Sequence, residues 1–266
     1  MTWIVGASSP FGVAAALSDI RVTLADGSER DCLQKIYPVG PFLAMGFAGS
    51  VAIGFSMVAH LSLSLSGVPP DCAWMPDAVA DWWPTNAREI FHEAPPAEQE
   101  SGCQLLLAGV HPTQGFGPPE FARPYVYTFS CPVFEPKLAA VSTAISIGSG
   151  AFIDEHRRLL ENLSAWPGDH KPVWFQTATM GPRGLGLGFA LSLTRQLQDM
   201  PQRGISPHLH VCIVTRGQIQ IAPNDYVAHA PDGTERPFRM PAVAGSMREF
   251  CDMLRALGLA AGAARC

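Results

Sequence analysis

Thr2-Trp3-Ile4-Val5-Gly6-Ala7-Ser8-Ser9-Pro10-Phe11-Gly12-Val13-Ala14-Ala15-Ala16-Leu17-Ser18-Asp19-Ile20-Arg21-Val22-Thr23 is the stretch whose reading decides the fold. Residues 2–7 read as a strand, and Ser8 to Gly12 carry turn chemistry. Val13 to Leu17 are nearly all apolar, which predicts a strand buried on both faces. The hairpin so formed returns Asp19 toward Thr2. A turn at Leu24-Ala25-Asp26-Gly27-Ser28 follows. Lys35–Val39 and Phe42–Phe47 then read as a second hairpin around Gly40-Pro41. We expect both ends of this stretch to lie on strands of one sheet.

Ser50 to Leu65 is apolar nearly all round, with Ser50 as its N-cap, and predicts a helix buried between layers. A second helix is expected around Asp77–His92, kinked or split by Pro84. Cys103–Val110 and Pro124–Ser130 read as strands joined by the Gly/Pro-rich segment Pro112–Pro119. Ala139–Ile147 reads as a strand ending at Gly148-Ser149-Gly150, with a helix over Ala151–Leu163. Trp166–Gly184 reads as an irregular insertion, Phe189–Gln198 as a helix, and His208–Thr215 with Gln218–Ile221 as a hairpin. A turn at Asp232-Gly233-Thr234 and a helix from about Ser246 to Leu259 complete the chain. Runs of strands alternating with pairs of helices imply an α+β layered sandwich rather than βαβ units, in a single domain over 1–266.

Composition narrows the function classes. The net charge is −5 and no basic run reaches five residues, which argues against nucleic acid as a partner. Nothing approaches the ~20 apolar residues needed to cross a bilayer. Val13–Ser18 faintly resembles a signal-peptide core, but Pro10 and Gly12 interrupt it and no Lys or Arg precedes Arg21. The seven cysteines (Cys32, Cys72, Cys103, Cys131, Cys212, Cys251 and Cys266) are odd in number, widely spaced and without a CxxC pair. Free thiols in a reducing cytoplasm fit better than a disulfide framework or a zinc knuckle.

Lysine is scarce, at three residues against fifteen arginines, and Lys35 stands in the apolar neighbourhood Leu33-Gln34-Lys35-Ile36-Tyr37. An edge-strand lysine in solvent is the plain explanation. Thr2 is common after an initiator Met and means little alone. If Met1 is removed, however, Thr2 carries a hydroxyl and a free α-amine, a nucleophile and its own base. An α-amine has a reference pKa of roughly 7.7–8, so a useful fraction accepts a proton near neutral pH.

Taken together, Thr2, Asp19-x-Arg21-x-Thr23, Lys35 sixteen residues beyond Asp19, Gly46-Phe47-Ala48-Gly49 and Ile147-Gly148-Ser149-Gly150 resemble the β-type subunits of the proteasome superfamily. Among these the chain looks most like the bacterial homologues related to the HslV peptidase, including the betaproteobacterial type. The resemblance spans roughly residues 2–225, leaving 226–266 as a C-terminal extension. It implies a four-layer αββα sandwich of the N-terminal-nucleophile hydrolase type. It also implies a threonine endopeptidase that assembles as stacked rings and acts on peptides or unfolded proteins, with an unfoldase ATPase as a candidate partner and without cofactor or metal. Thr2 would attack, Lys35 and Asp19 would support it, Gly49 would form the oxyanion hole, and Ser149 would bond the Thr2 amine or a nearby water. Thr23, Gly49 and Val51 would hold the substrate backbone, and Val22, Phe47 and Val51 would line an apolar pocket. Ser206 matches a further serine, but Arg203 sits where an Asp is usual, so either Asp199 takes that place or the surroundings differ. Thr2 to Asp19 is one residue longer than the family spacing, which the turn at Pro10 can absorb. Alternatives within the same fold are a structural ring subunit with little or no activity and a stand-alone amidase.

Other motifs are weaker. Gly184-Leu185-Gly186-Leu187-Gly188 precedes a helix but lacks the Lys-Ser/Thr end of a phosphate loop. His208-x-His210 puts two imidazoles on one strand face, which alone is too few for a metal set. Trp82-Trp83 reads as core or subunit contact.

Overall fold

The computed structural model describes residues 2–24, 26–67, 74–115, 122–164, 188–190, 193–194, 197, 204–216, 218–221, 225–229 and 233–259. The insertion at 165–184, Asp199 and Arg203 lie outside them, as does most of the glycine run at 184–188. The first strands are Ile4–Ser9 (β1), Val13–Asp19 (β2), Arg21–Thr23 (β3), Glu29–Asp31 (β4), Ile36–Gly40 (β5) and Leu43–Gly49 (β6). Helices Val51–Ser66 (α1), Pro76–Glu93 (α2) and Pro96–Glu100 (α3) follow. Next come Cys103–Gly115 (β7), Ala122–Ser130 (β8), Lys137–Leu138 (β9), Ala144–Ile147 (β10), a 3-10 turn at Ser149–Phe152 and Asp154–Ser164 (α4). Leu209–Thr215 (β11), Gln218–Ile221 (β12), Asp225–His229 (β13), Glu235–Arg239 (β14) and Met247–Ala256 (α5) end the described chain.

This is a mixed α/β protein with two five-stranded antiparallel sheets, in the orders β10-β1-β2-β11-β12 and β5-β6-β7-β8-β9. β2 is buried along its whole length because it sits at the centre of the first sheet. Its side chains alternate between faces. Ala14 and Ala16 join Ile4, Ile36, Ala44, Leu106, Val126 and Cys212 in a cluster shared by the two sheets. Val13, Ala15 and Leu17 join Trp3, Leu159 and Leu160 of α4, and Phe189, Leu193 and Leu197, in a second cluster. A third cluster sets Met45, Phe47, Leu105 and Leu107 of the other sheet against Met57 and Leu61 of α1 and Trp83 of α2. Small residues allow the sheets this approach: a methyl on Gly6 would lie 2.6 Å from Val126, and one on Gly46 3.1 Å from Ile4.

Several expectations are corrected. The two N-terminal hairpins belong to different sheets, not one. The β3–β4 ribbon, with Val22 opposite Arg30, carries the chain between them. Pro84 does not split α2, which runs from Pro76 to Glu93 with Trp83 and Pro84 buried on one face. The strand expected over Ala139–Ile147 shortens to Ala144–Ile147, paired with β1. Beyond Tyr226 the expected helix does form, as α5 with Phe250 and Leu254 buried, and it is preceded by a β13–β14 pair that was not expected. Ala244 bridges Leu33, accepting from the Gln34 N–H at 3.0 Å and donating to Cys32 at 2.8 Å. The C-terminal segment thus holds the residues that lead into Lys35.

β11–β12 forms as expected, and α1 forms as a helix but is not buried between layers: it buries one face and exposes Ser56, Ala59, His60 and Leu63, the last at 73%. Ser50 caps α1 by accepting from the Ile53 N–H at 3.1 Å. Among the described residues no helix is long and apolar enough to cross a membrane. Cys32, Cys103, Cys131, Cys212 and Cys251 are free thiols.

Candidate active site

Asp19 closes β2, Thr2 precedes β1 and Lys35 precedes β5, so the set forms where the two sheets meet at one end. Lys35 Nζ donates to Thr2 Oγ1 at 3.1 Å, to Asp19 Oδ1 at 3.1 Å and to the Arg21 carbonyl at 2.6 Å. An ammonium has three N–H donors, and these contacts use them all. Asp19 is held as firmly: Oδ2 accepts from the Trp3 N–H at 2.6 Å, and Oδ1 from the Arg21 N–H at 2.8 Å. Thr2, Asp19 and Lys35 are each 0% exposed. Lys35 is therefore not the solvated edge lysine of the plain reading. Burying two charges costs several kcal/mol per ion unless geometry and hydrogen bonds compensate, so such a pair is weak evidence of stability. Buried charged groups held by specific partners are found at functional sites as well as in structural networks.

The Gly148-Ser149-Gly150 segment approaches Thr2 from β10. The Thr2 nitrogen lies 2.9 Å from Ser149 Oγ, and the Gly150 N–H donates to the Thr2 carbonyl at 2.9 Å. Gly148 adopts φ +83°, and a methyl there would lie 2.5 Å from the Thr2 carbonyl oxygen and 3.3 Å from Ala48 Cβ. Glycine is required on both counts.

Gly49 ends β6 at φ +107°, and a Cβ there would meet the Gly102 carbonyl at 2.3 Å. It stands directly before the capped N-terminus of α1, where the helix dipole is positive. The Ser50 N–H donates to Gly102 at 2.9 Å, and the Ser50 hydroxyl donates to Glu98.

Ser206 is placed elsewhere. Its hydroxyl donates to Asp31 Oδ2 at 2.8 Å and accepts from the His208 N–H at 3.1 Å, with no bond to Thr2. Asp31 is gripped by Arg21 through Nε at 2.7 Å and Nη2 at 3.2 Å. Burial pushes the Asp31 carboxyl up, but the Arg21 and Ser206 hydrogen bonds outweigh it and hold the group below its ordinary value. Ser206 therefore reaches the site through Arg21, whose carbonyl receives Lys35. Asp31 is the acid beside Ser206, and a charged residue on a short strand gave no signal of that.

The expected pocket residues are packed core. Val22 and Phe47 are 0% exposed and Val51 2%, all within the cluster against α1 and α2. The reason is strand alternation: Phe47 faces α1 while its neighbour Ala48 faces the other sheet. The Phe47 ring lies parallel to Tyr37 and covers Gly54, where a methyl would lie 2.1 Å from the ring. Thr23 is half-buried at the end of β3. His210 is buried opposite Ser18 in β2, and burial lowers its pKa to about 4. His208 lies beside Asp31, and burial outweighs that charge to lower its pKa. Among the described residues no group of three or more His, Cys, Asp or Glu side chains is arranged to hold a metal ion.

The arrangement offers a hydroxyl with a cation at hydrogen-bond distance and a nitrogen of the same residue beside a serine. No family model and no curated protein sequence matches this chain.

Proposed function

We propose that this chain is a threonine peptidase of the N-terminal-nucleophile class, similar to β-type proteasome subunits and their HslV-like bacterial homologues. The observation that carries the reading is the Lys35 ammonium at 3.1 Å from both Thr2 Oγ1 and Asp19 Oδ1, with all three groups buried. The three hydrophobic clusters support a four-layer αββα sandwich in one domain, because they interleave helices, sheet, sheet and helices.

The reading requires Thr2 to become N-terminal by loss of Met1. Its freed amine then takes the Thr2 hydroxyl proton while Oγ1 bonds the carbonyl carbon of the scissile peptide. Lys35 stabilises the developing alkoxide, and Asp19 holds Lys35 in place. Gly49, at the positive end of α1, is the proposed oxyanion donor. Collapse breaks the C–N bond, and the Thr2 ammonium gives its proton to the leaving amine. Water attacks the resulting ester, the Thr2 amine takes the water proton, and Oγ1 departs with it. Ser149 Oγ, 2.9 Å from the Thr2 nitrogen, orients that amine throughout.

The proposal includes self-association into stacked rings around an inner chamber, a peptide or unfolded-protein substrate, a possible unfoldase partner and a cytoplasmic setting. It includes no cofactor or metal. A ring subunit with little activity is the second reading. It is favoured by one observation, that Val22, Phe47 and Val51 are packed core rather than an open pocket. The test is fluorogenic-peptide cleavage by the trimmed protein and by Thr2→Ala, with light scattering on both. The proposal expects cleavage lost in Thr2→Ala with particle size unchanged. Cleavage that survives Thr2→Ala contradicts it, and absence of cleavage in the trimmed parent favours the second reading.

A further inference from the structure

His156 is 0% exposed, and the nearest polar group acting on its ring is the Gly150 backbone. The imidazole lies on α4 and stacks on Trp3, with ring centroids 4.3 Å apart and planes 23° from parallel. Gly150 closes on the same side chain: a methyl there would lie 2.6 Å from Trp3 Cβ and 2.7 Å from Cγ. Trp3 is thus fixed by two groups from one segment, and its backbone is in turn fixed to Asp19. The Trp3 N–H donates to Asp19 Oδ2 at 2.6 Å, and the Asp19 N–H donates back to the Trp3 carbonyl at 3.0 Å. Asp19 then meets Lys35 with its other oxygen.

We infer that His156 is a positioning residue. Its ring, stacked on Trp3, holds the Trp3 amide against Asp19 and so keeps Asp19 aimed at Lys35. Burial outweighs the Gly150 backbone and the Glu155 and Asp19 charges and lowers the His156 pKa, which keeps the stacked ring neutral. The catalytic consequence rests on the peptidase reading, but the geometric consequence does not.

The test compares His156→Phe, which keeps an aromatic ring, with His156→Ala, which removes it. His156→Leu replaces the alanine variant if that one does not fold. Turnover is counted per Thr2 that reacts with a peptide epoxyketone. The expected result is a kcat at least 10-fold lower in His156→Ala with KM within two-fold, and near-parental kcat in His156→Phe. A merely structural role would lower the melting temperature and the reactive fraction but leave kcat per reactive Thr2 unchanged, which overturns the inference. Equal losses in both variants overturn it too. The second readout is the backbone amide of Trp3 in protein labelled with 15N-tryptophan, assigned by its loss in Trp3→Phe. It should move upfield and exchange faster in His156→Ala, and stay in His156→Phe. If the parent neither cleaves nor labels, the peptidase reading fails while the amide still decides the positioning; an amide unmoved in His156→Ala refutes it.

Discussion

Replacing Lys35 by Met is the sharpest perturbation of the buried pair. It removes the cation and leaves the Asp19 carboxyl without its charge partner in a site that is 0% exposed. Removing one partner of a buried ion pair typically costs about 3–5 kcal/mol. Asp19 keeps two backbone donors, at 2.6 Å from Trp3 and 2.8 Å from Arg21, so the lower end applies. We expect a loss of about 3 kcal/mol, or roughly 6–12 °C in melting temperature at roughly 2–4 °C per kcal/mol. Asp19→Ala should cost more. It strands Lys35 against two neutral acceptors and orphans both backbone N–H groups, at roughly 1–3 kcal/mol each. The double variant should be less destabilised than the sum of the singles by about 2 kcal/mol or more. Urea unfolding of the four proteins at pH 7 gives the cycle, and peptide cleavage on the same samples should vanish in all three variants. A neutral or stabilised Lys35→Met, or strictly additive losses, would refute the reasoning.

His210 predicts an acid limb. Its folded pKa of about 4 lies below the ordinary 6.5, so the unfolded chain binds the extra proton first. Stability is complete above about 6.5 and is lost as pH falls toward 4, by about 3 kcal/mol from this group. His210→Leu should flatten the pH dependence of urea midpoints over that window, and an unchanged slope counts against it. Gly148→Ala forces a methyl against the Thr2 carbonyl at φ +83° and should both destabilise the protein and abolish cleavage. An active, stable Gly148→Ala would show that Thr2 is not held there. Ser206→Ala removes one donor from Asp31 while the Arg21 bonds remain, so activity should fall only several-fold, measured as kcat. Loss as deep as that of Thr2→Ala would place Ser206 in contact with the nucleophile instead.

The return of Asp19 toward Thr2 was legible because it needs only one hairpin turn, whereas the place of Lys35 beside Thr2 was implied by the resemblance. Which sheet each hairpin joins was not legible. Periodicity marks Ile36–Gly40 and Leu43–Gly49 as strands but carries no sign that the β3–β4 ribbon moves the chain to a second sheet. Strand alternation in Leu43–Gly49 fixes only that two faces exist; the neighbouring layers decide that Phe47 packs toward α1 and Ala48 toward the other sheet. Asp31, Trp3 and His156 were missed because their roles come from contacts across long separations, such as the Asp31–Ser206 bond. The Gly148–Gly150 segment was found by resemblance. Its physical reason, the close approach to Thr2 and Trp3, appears only in three dimensions.

The central claim is that Thr2 acts with both its hydroxyl and its own amine. Intact-mass spectrometry after incubation with a peptide epoxyketone tests this directly, because that reagent closes its ring only on a residue offering both groups. The account predicts a chain lacking Met1 that gains one inhibitor mass, mapped to Thr2 and absent in Thr2→Ala. A chain that retains Met1, or a trimmed chain that takes no adduct at Thr2, would contradict it.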